Sequence, residues 1–257
     1  MLRPRVWILV LLGLVGGVFS GTFGAGGGII LVPLLVTFAG LDQRRASATS
    51  LLAILPSSVA GGITYLANGE VDLLAAGVIA VGAVAGSLIG SALLKRLPLP
   101  ALTWGFIALL VIVAARLLFV EPVRGEPLEF SFGVAIAYLA IGLVMGITSG
   151  LFGVGGAVIA VPALVAGLGI SDLIAKGTTL AVIVATSVTG TLANRRTGLV
   201  DVRTALIVGG VAAVAAVGGA YLGLALPAKL STVLFAVLLV LTAIQLSVRA
   251  IRSRGRG

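Results

Sequence analysis

The chain has 257 residues, 60% of them hydrophobic and only 10% charged, with a mean hydropathy of +1.27. A soluble domain carries roughly 25% charged residues, so this composition excludes an ordinary water-soluble fold and points to a helical chain that crosses a membrane several times. The net charge of +9 would suggest nucleic acid in a soluble protein, but Lys and Arg gather beside apolar runs as orientation signals do, and no nucleic-acid partner is expected. With no Cys and no His, disulfides, thiol chemistry, Cys metal sites and the usual metal ligand and proton shuttle are all missing.

Residues 1–5 and the apolar run to Ser20 have the layout of a signal peptide, with Val18 and Ser20 at the cleavage spacing. A duplication argues for a retained first helix instead. Residues 20–33, SGTFGAGGGIILVP, return as SGLFGVGGAVIAVP at residues 149–162, and Ser149 is Ser20 displaced by 129 positions. The displacement then holds without a gap: Gly40 pairs with Gly169, Thr49 with Thr178, Asp72 with Asp201, Gly90 with Gly219 and Pro98 with Pro227. Twice 129 is 258, so the chain reads as two copies of one unit, residues 1–124 and 125–257.

Apolar segments are expected at 6–23, 29–38, 46–66, 73–94 and 101–120, and again at 132–152, 157–168, 173–193, 202–226 and 230–251. The polar linker EPVRGEPLEF, residues 121–130, separates the copies. The second segment of each copy is short. Ten residues make about 15 Å of helix at 1.5 Å per residue, against a hydrocarbon core of ~30 Å. Three arrangements are open for it: extension into its flanks, the returning arm of a re-entrant hairpin, or fusion with the first segment into one broken crossing. With five segments per copy and the N-terminus inside, 13 of the 17 Lys and Arg residues fall inside; Arg116, Arg124, Lys176 and Lys229 fall outside. The broken-crossing arrangement gives 11 inside and 6 outside, so the positive-inside rule favours the first. An odd number of crossings per copy predicts an all-α polytopic membrane protein. Its two repeats are inverted, with about five hydrophobic segments each and short or re-entrant second segments after Gly-rich loops. Both termini are expected in the cytoplasm, in the inner membrane of a cell.

Gly82, Gly86 and Gly90 lie at i, i+4, i+8, a small-residue face for helix packing that Gly219 and Gly223 echo. Tyr65, Tyr138 and Tyr221 read as packing or interfacial residues, and the pairs Arg44–Arg45 and Arg195–Arg196 as head-group contacts or orientation signals. No acidic residue lies mid-segment: Glu70, Asp72 and Asp201 fall at loop ends, leaving no obvious carrier for a buried carboxylate proton relay.

Gly24, Gly26, Gly27 and Gly28, like Gly153, Gly155 and Gly156, cannot serve helix stability, since each costs roughly 1 kcal/mol relative to Ala. They predict a tight non-helical turn at membrane depth, tolerated where protein or a watery cavity satisfies its polar groups. A helix opening straight after such a turn directs free amides and its positive dipole end at the cavity, an anion site without a charged side chain. For a single loop, close helix packing is the favoured explanation of the glycines; two loops in register, each followed by a short helix and a Pro, favour a substrate path. Lacking Gly-Lys-Ser/Thr, and with Ile29 where GxGxxG needs its last Gly, the loop is no nucleotide motif. The third segments supply the other repeated polar cluster: Thr49 and Ser50 matched by Thr178 and Thr179, and Ser58 matched by Ser187, while Thr22 is a hydroxyl of the first motif alone. They can complete an anion's hydrogen bonds or bond locally to backbone. The candidate substrate-binding set is therefore Thr22, Gly24, Gly26, Gly27, Gly28, Thr49, Ser50, Gly153, Gly155, Gly156, Thr178 and Thr179, with no catalytic, cofactor or metal residue.

The paired motifs, with ATSLLAI at residues 48–54 and GTTLAVI at residues 177–183, resemble the sulfite exporter TauE/SafE family of membrane transporters over nearly the whole chain. That resemblance implies an inner-membrane secondary transporter, not an enzyme, that exports a small anion such as sulfite or an organosulfonate. The related thiosulfate transporters rely on Cys, and this Cys-free chain departs from that pattern. The alternatives are an ion-coupled carrier, an importer of another small anion, or a non-transporting membrane subunit. Expected partners are a small anionic substrate and membrane lipid, with a homodimer one open oligomeric state.

Overall fold

A computed structural model describes residues 5–119, 131–195 and 197–254; the side chains of 117–119 and 252–254 are not described. The linker 121–130 lies outside these residues, as do Arg3, Arg124, Arg196 and Arg256. Ten helices follow one another, with no strand among the described residues. They are α1 (Val6–Phe23), α2 (Gly28–Phe38), α3 (Gln43–Ala67), α4 (Leu73–Arg96), α5 (Leu99–Phe119), α6 (Phe132–Phe152), α7 (Ala157–Pro162, continued by a π turn over Ala163–Gly167), α8 (Asp172–Arg195), α9 (Val202–Ala225) and α10 (Ala228–Arg254). All but α2 and α7 are long and apolar enough to cross a membrane, which makes eight candidate spans.

The few acidic residues start helices. Asp42, Asp72 and Asp201 accept the amides of Arg45, Ala75 and Thr204 at 2.9, 2.9 and 3.2 Å, capping α3, α4 and α9. Ends are closed by cations: Lys95 Nζ donates to the Ala193 carbonyl near the end of α8 at 2.8 Å, and Arg44 donates to the Leu97 carbonyl beyond α4 at 2.6 Å.

Glycine seams fix the directions. Gly13, Gly17 and Gly21 of α1 abut Val208, Ala212 and Ala216 of α9 in ascending order; Gly82, Gly86 and Gly90 of α4 likewise abut Leu139, Leu143 and Ile147 of α6. At each of these positions a Cβ would strike a backbone carbonyl, so the expected packing face is a backbone-to-backbone contact. Helix α3 runs with α9, since Ala53 meets Gly209 and Gly61 lies by Ala216. Helix α8 runs with α4, where Ser87 bonds to Thr186 and Asn194 to Ser91. Between α3 and α8 the order reverses: Leu51 meets Gly190 while Gly61 meets Leu180. Thus α1, α3 and α9 point one way and α4, α6 and α8 the other. Each repeat-related pair, α1 with α6, α3 with α8 and α4 with α9, runs in opposite directions.

Because α1 and α3 start at the same end, α2 must carry the chain back to that end. Its 11 residues give about 16 Å of helix, roughly half a bilayer core. Of the three arrangements for the second segment, this is the returning arm of a hairpin, and α7 plays the same part between α6 and α8. The interior is built around α2, α7, α3 and α8, whose Leu31, Val32, Ile54, Val158, Leu180 and Ile183 are fully buried. Outward faces carry exposed apolar side chains such as Val81, Ile112, Val214 and Leu241, as lipid contact requires and water does not.

Candidate functional site

The two Gly loops meet at the centre. Gly24, Gly26 and Gly27 have φ of 64°, 66° and 73°, and Gly153, Gly155 and Gly156 have 72°, 78° and 80°. Only glycine adopts this left-handed region without strain, which is why helices α1 and α6 stop where they do. Gly27 and Gly156 then sit at the N-caps of α2 and α7 with no side chain capping either helix. The first amides of those helices have no intrahelical acceptor. Gly28 is already helical and packs on the Gly153 carbonyl and Val154 of the opposite loop.

The glycines divide by what they face. Gly27 lies on the Gly16 carbonyl and Gly156 on the Met145 carbonyl, so these two hold the turns closed against their own parent helices. Gly24 packs on the stem of Lys176, and Gly153 on the backbone of Ser47, the residue 129 positions earlier. Gly26 and Gly155 face side chains instead. Gly26 is turned to Ile183 and the Ser58 hydroxyl, and Gly155 to Ile54 and Ile183.

Most of the expected hydroxyls are engaged in structure. Thr22 donates to the Val18 carbonyl at 2.8 Å and to the Gly219 carbonyl across the α1–α9 seam at 3.1 Å. Thr49 accepts the Asp201 amide at 3.0 Å, and its repeat partner Thr178 accepts the Asp72 amide at 3.0 Å. Each thus ties its own helix to the helix start in the other half. Ser50 donates to the Gly153 carbonyl at 2.5 Å and to the Ser47 carbonyl at 2.9 Å, tethering the second loop. Thr179, the repeat partner of Ser50, is buried without a hydrogen-bond partner. So are Ser58 and Ser187, both with no exposed surface. Ser58, which adjoins Gly26, and its repeat partner Ser187 thus keep hydroxyls that no protein group engages.

One polar cluster was missed. Sequence reading counts Lys176 among the outer cations, at the start of segment 173–193, and passes over Asp172; the structure pairs the two. Asp172 opens α8 and Lys176 stands one turn later, each 4% exposed. Lys176 Nζ donates to Asp172 Oδ2 at 3.2 Å and to Ser231 Oγ of α10 at 2.9 Å. The i, i+4 spacing of Asp and Lys between apolar neighbours could have flagged the pair; nothing in the sequence marks Ser231.

The chain matches the sulfite exporter TauE/SafE family over residues 1–117 and 138–257. It belongs to that family. Among relatives, the probable membrane transporter protein YunE of Bacillus subtilis (strain 168) is 27% identical over 218 residues, 76% of this chain and 80% of its own length. The probable membrane transporter protein YdhB of the same organism is 35% identical over 89 residues, covering 35% of this chain and 36% of its own. Sulfite exporter TauE/SafE family protein 1 of Arabidopsis thaliana is 32% identical over 94 residues, 37% of this chain and 21% of its own. No solved structure matches. Membership makes this a multi-pass membrane transporter protein and points away from catalysis.

Proposed function

We propose that this TauE/SafE-family protein is a secondary transporter that exports a small anion, sulfite or an organosulfonate, between its two Gly loops. The observation that carries the reading is the meeting of the loops beside Ser58, whose hydroxyl, like that of its repeat partner Ser187, is buried and unpartnered. Uncapped helix starts next to them offer amides and a positive dipole end to an anion. The opposite directions of α3 and α8 support two halves inverted across the membrane, so that each half presents one loop from its own side. Both termini then lie in the cytoplasm, where the basic ends belong.

A membrane potential is worth about 2.3 kcal/mol per charge per 100 mV, roughly fiftyfold in concentration. With the cytoplasm negative, an anion leaves downhill and needs no coupled ion. The buried Asp172 favours a second reading, in which a proton accompanies the anion. Protein in liposomes loaded with labelled sulfite decides among these. Flux that needs the protein, and whose direction follows a potassium–valinomycin potential at symmetric pH, supports uncoupled export. Flux that follows an imposed proton gradient supports coupling, and no protein-dependent flux removes the transport reading. Orientation is checked on the Cys-free background by single Cys residues at Asn68 and Gly198, both exposed at loop tips. Impermeant reagent should label the first from outside and the second only after permeabilisation. Labelling of both from one side contradicts the inverted arrangement.

A further inference from the structure

Two cavities are repeat counterparts. One, of ≈ 290 Å³, is walled by α5, α7, α8 and α10; the other, of ≈ 360 Å³, by α2, α3, α5 and α10. Val165, Asp172 and Thr232 of the first stand 129 positions after Val36, Gln43 and Thr103 of the second. Since α3 and α8 are antiparallel, the cavities lie at opposite ends of the molecule. The first also takes Phe23, which precedes Gly24, and Val158, two residues after Gly156, into its wall, and so adjoins both loops.

Their chemistry differs. Where the first cavity holds Asp172, Lys176 and Ser231, the positions 129 residues earlier are Gln43, Ser47 and Leu102. A neutral set therefore suffices for folding at this place, while a buried ion pair pays a desolvation cost that its attraction need not repay. An ionisable residue at membrane depth is a functional-site hypothesis for the same reason. Beyond the ion pair the wall is mainly apolar, with Phe23, Leu109, Val158 and Phe235 facing the space that Lys176 borders; the exposed Arg116 also lines it, whereas Lys176 is buried.

Resting on the transport reading above, we infer that Lys176 is the anion-coordinating group of this cavity and Asp172 its resting counter-ion. The ligand is an oxyanion that carries a short apolar group, rather than a bare inorganic one. The arriving anion replaces Asp172 on the Lys176 ammonium, so the cation keeps an anionic partner throughout. Asp172, released, remains in the first turn of α8, where the dipole end steadies a carboxylate. Ser231 stays with Lys176 and holds its ammonium at the cavity.

Calorimetric binding of butane-1-sulfonate and of sulfite to the purified full chain in neutral detergent tests this. Butane-1-sulfonate should bind more tightly than sulfite, by roughly fourfold for each methylene buried. Asp172→Asn removes the competitor and should tighten butane-1-sulfonate by about tenfold or more. Asp172→Asn with Lys176→Met removes both charges together and should lose binding while the melting transition is kept; Lys176→Arg should retain it. A double variant that binds as wild type does, an Asp172→Asn affinity unchanged or weakened, or sulfite binding as well as butane-1-sulfonate each overturns the assignment. Phosphatidylglycerol binding that depends on Lys176, with no butane-1-sulfonate binding, would make the occupant a lipid head group and overturn it too. Wild-type binding without liposome flux would count against transport alone, whereas full flux in the double variant counts against this inference alone.

Discussion

The Gly seams and the corner at the start of α8 obey different rules. Along the seams the halves are copies: α1 meets α9 as α6 meets α4, and Thr49 holds Asp201 as Thr178 holds Asp72, both at 3.0 Å. At the corner the copies part, with Lys176, Asp172 and Ser231 against Ser47, Gln43 and Leu102. Ser50 tethers the loop of the other half while Thr179 has no partner. Symmetry is kept where backbones touch and no variation is sterically tolerable. It is lost where side chains line a cavity, which is where a transporter distinguishes its two ends.

The largest effect should come from the seams. Gly86→Val drives a side chain into the Leu143 carbonyl and the Ile147 amide. It should cost more than about 3 kcal/mol, leaving no folded species on size exclusion. The same substitution at Gly146, against Ala83, should do as much damage. A wild-type melting profile for either would break the claim that the seams are fixed contacts. Next come the reciprocal bonds. Thr49→Val and Thr178→Val should each lower stability in detergent by about 1 kcal/mol, and by similar amounts. Clearly unequal losses would show that the two crossings are not equivalent. Smallest are the helical glycines that face open space: Gly77→Ala and Gly218→Ala meet nothing within 4 Å. They should change stability by less than about 1 kcal/mol, toward the folded state.

Much of this frame was legible in the sequence. The 129-residue displacement, the ten segments and the shortness of the second one follow from local composition, and the positive φ at Gly24, Gly26, Gly27 and their partners follows from clustered glycine where helices should run. The roles of the hydroxyls were not legible. Thr49 is engaged by an amide 152 residues away and Ser50 by a carbonyl 103 residues away. No local pattern distinguishes them from Ser58, which stays open. Lys176 was hidden for a related reason. A cation at the edge of an apolar run looks like an orientation signal until its partners are known, and Ser231 lies 55 residues on in another helix. The Gly loops also divide more finely than their spelling does. Gly27 and Gly156 rest on carbonyls of their own hairpins, so Val there should end both folding and flux, while Gly26 and Gly155 face the flexible ends of Ile54 and Ile183.

The central claim is that an anion passes between the loops beside Ser58 and reaches its repeat partner Ser187, and the absence of native Cys allows a direct reading. Ser58→Cys and Ser187→Cys, made singly, should react with a small anionic methanethiosulfonate although both positions are buried, and sulfite or butane-1-sulfonate should slow that reaction. Modification should also stop flux in liposomes. Thiols that remain inert, or that react at a rate indifferent to the anion, would contradict a path through this site.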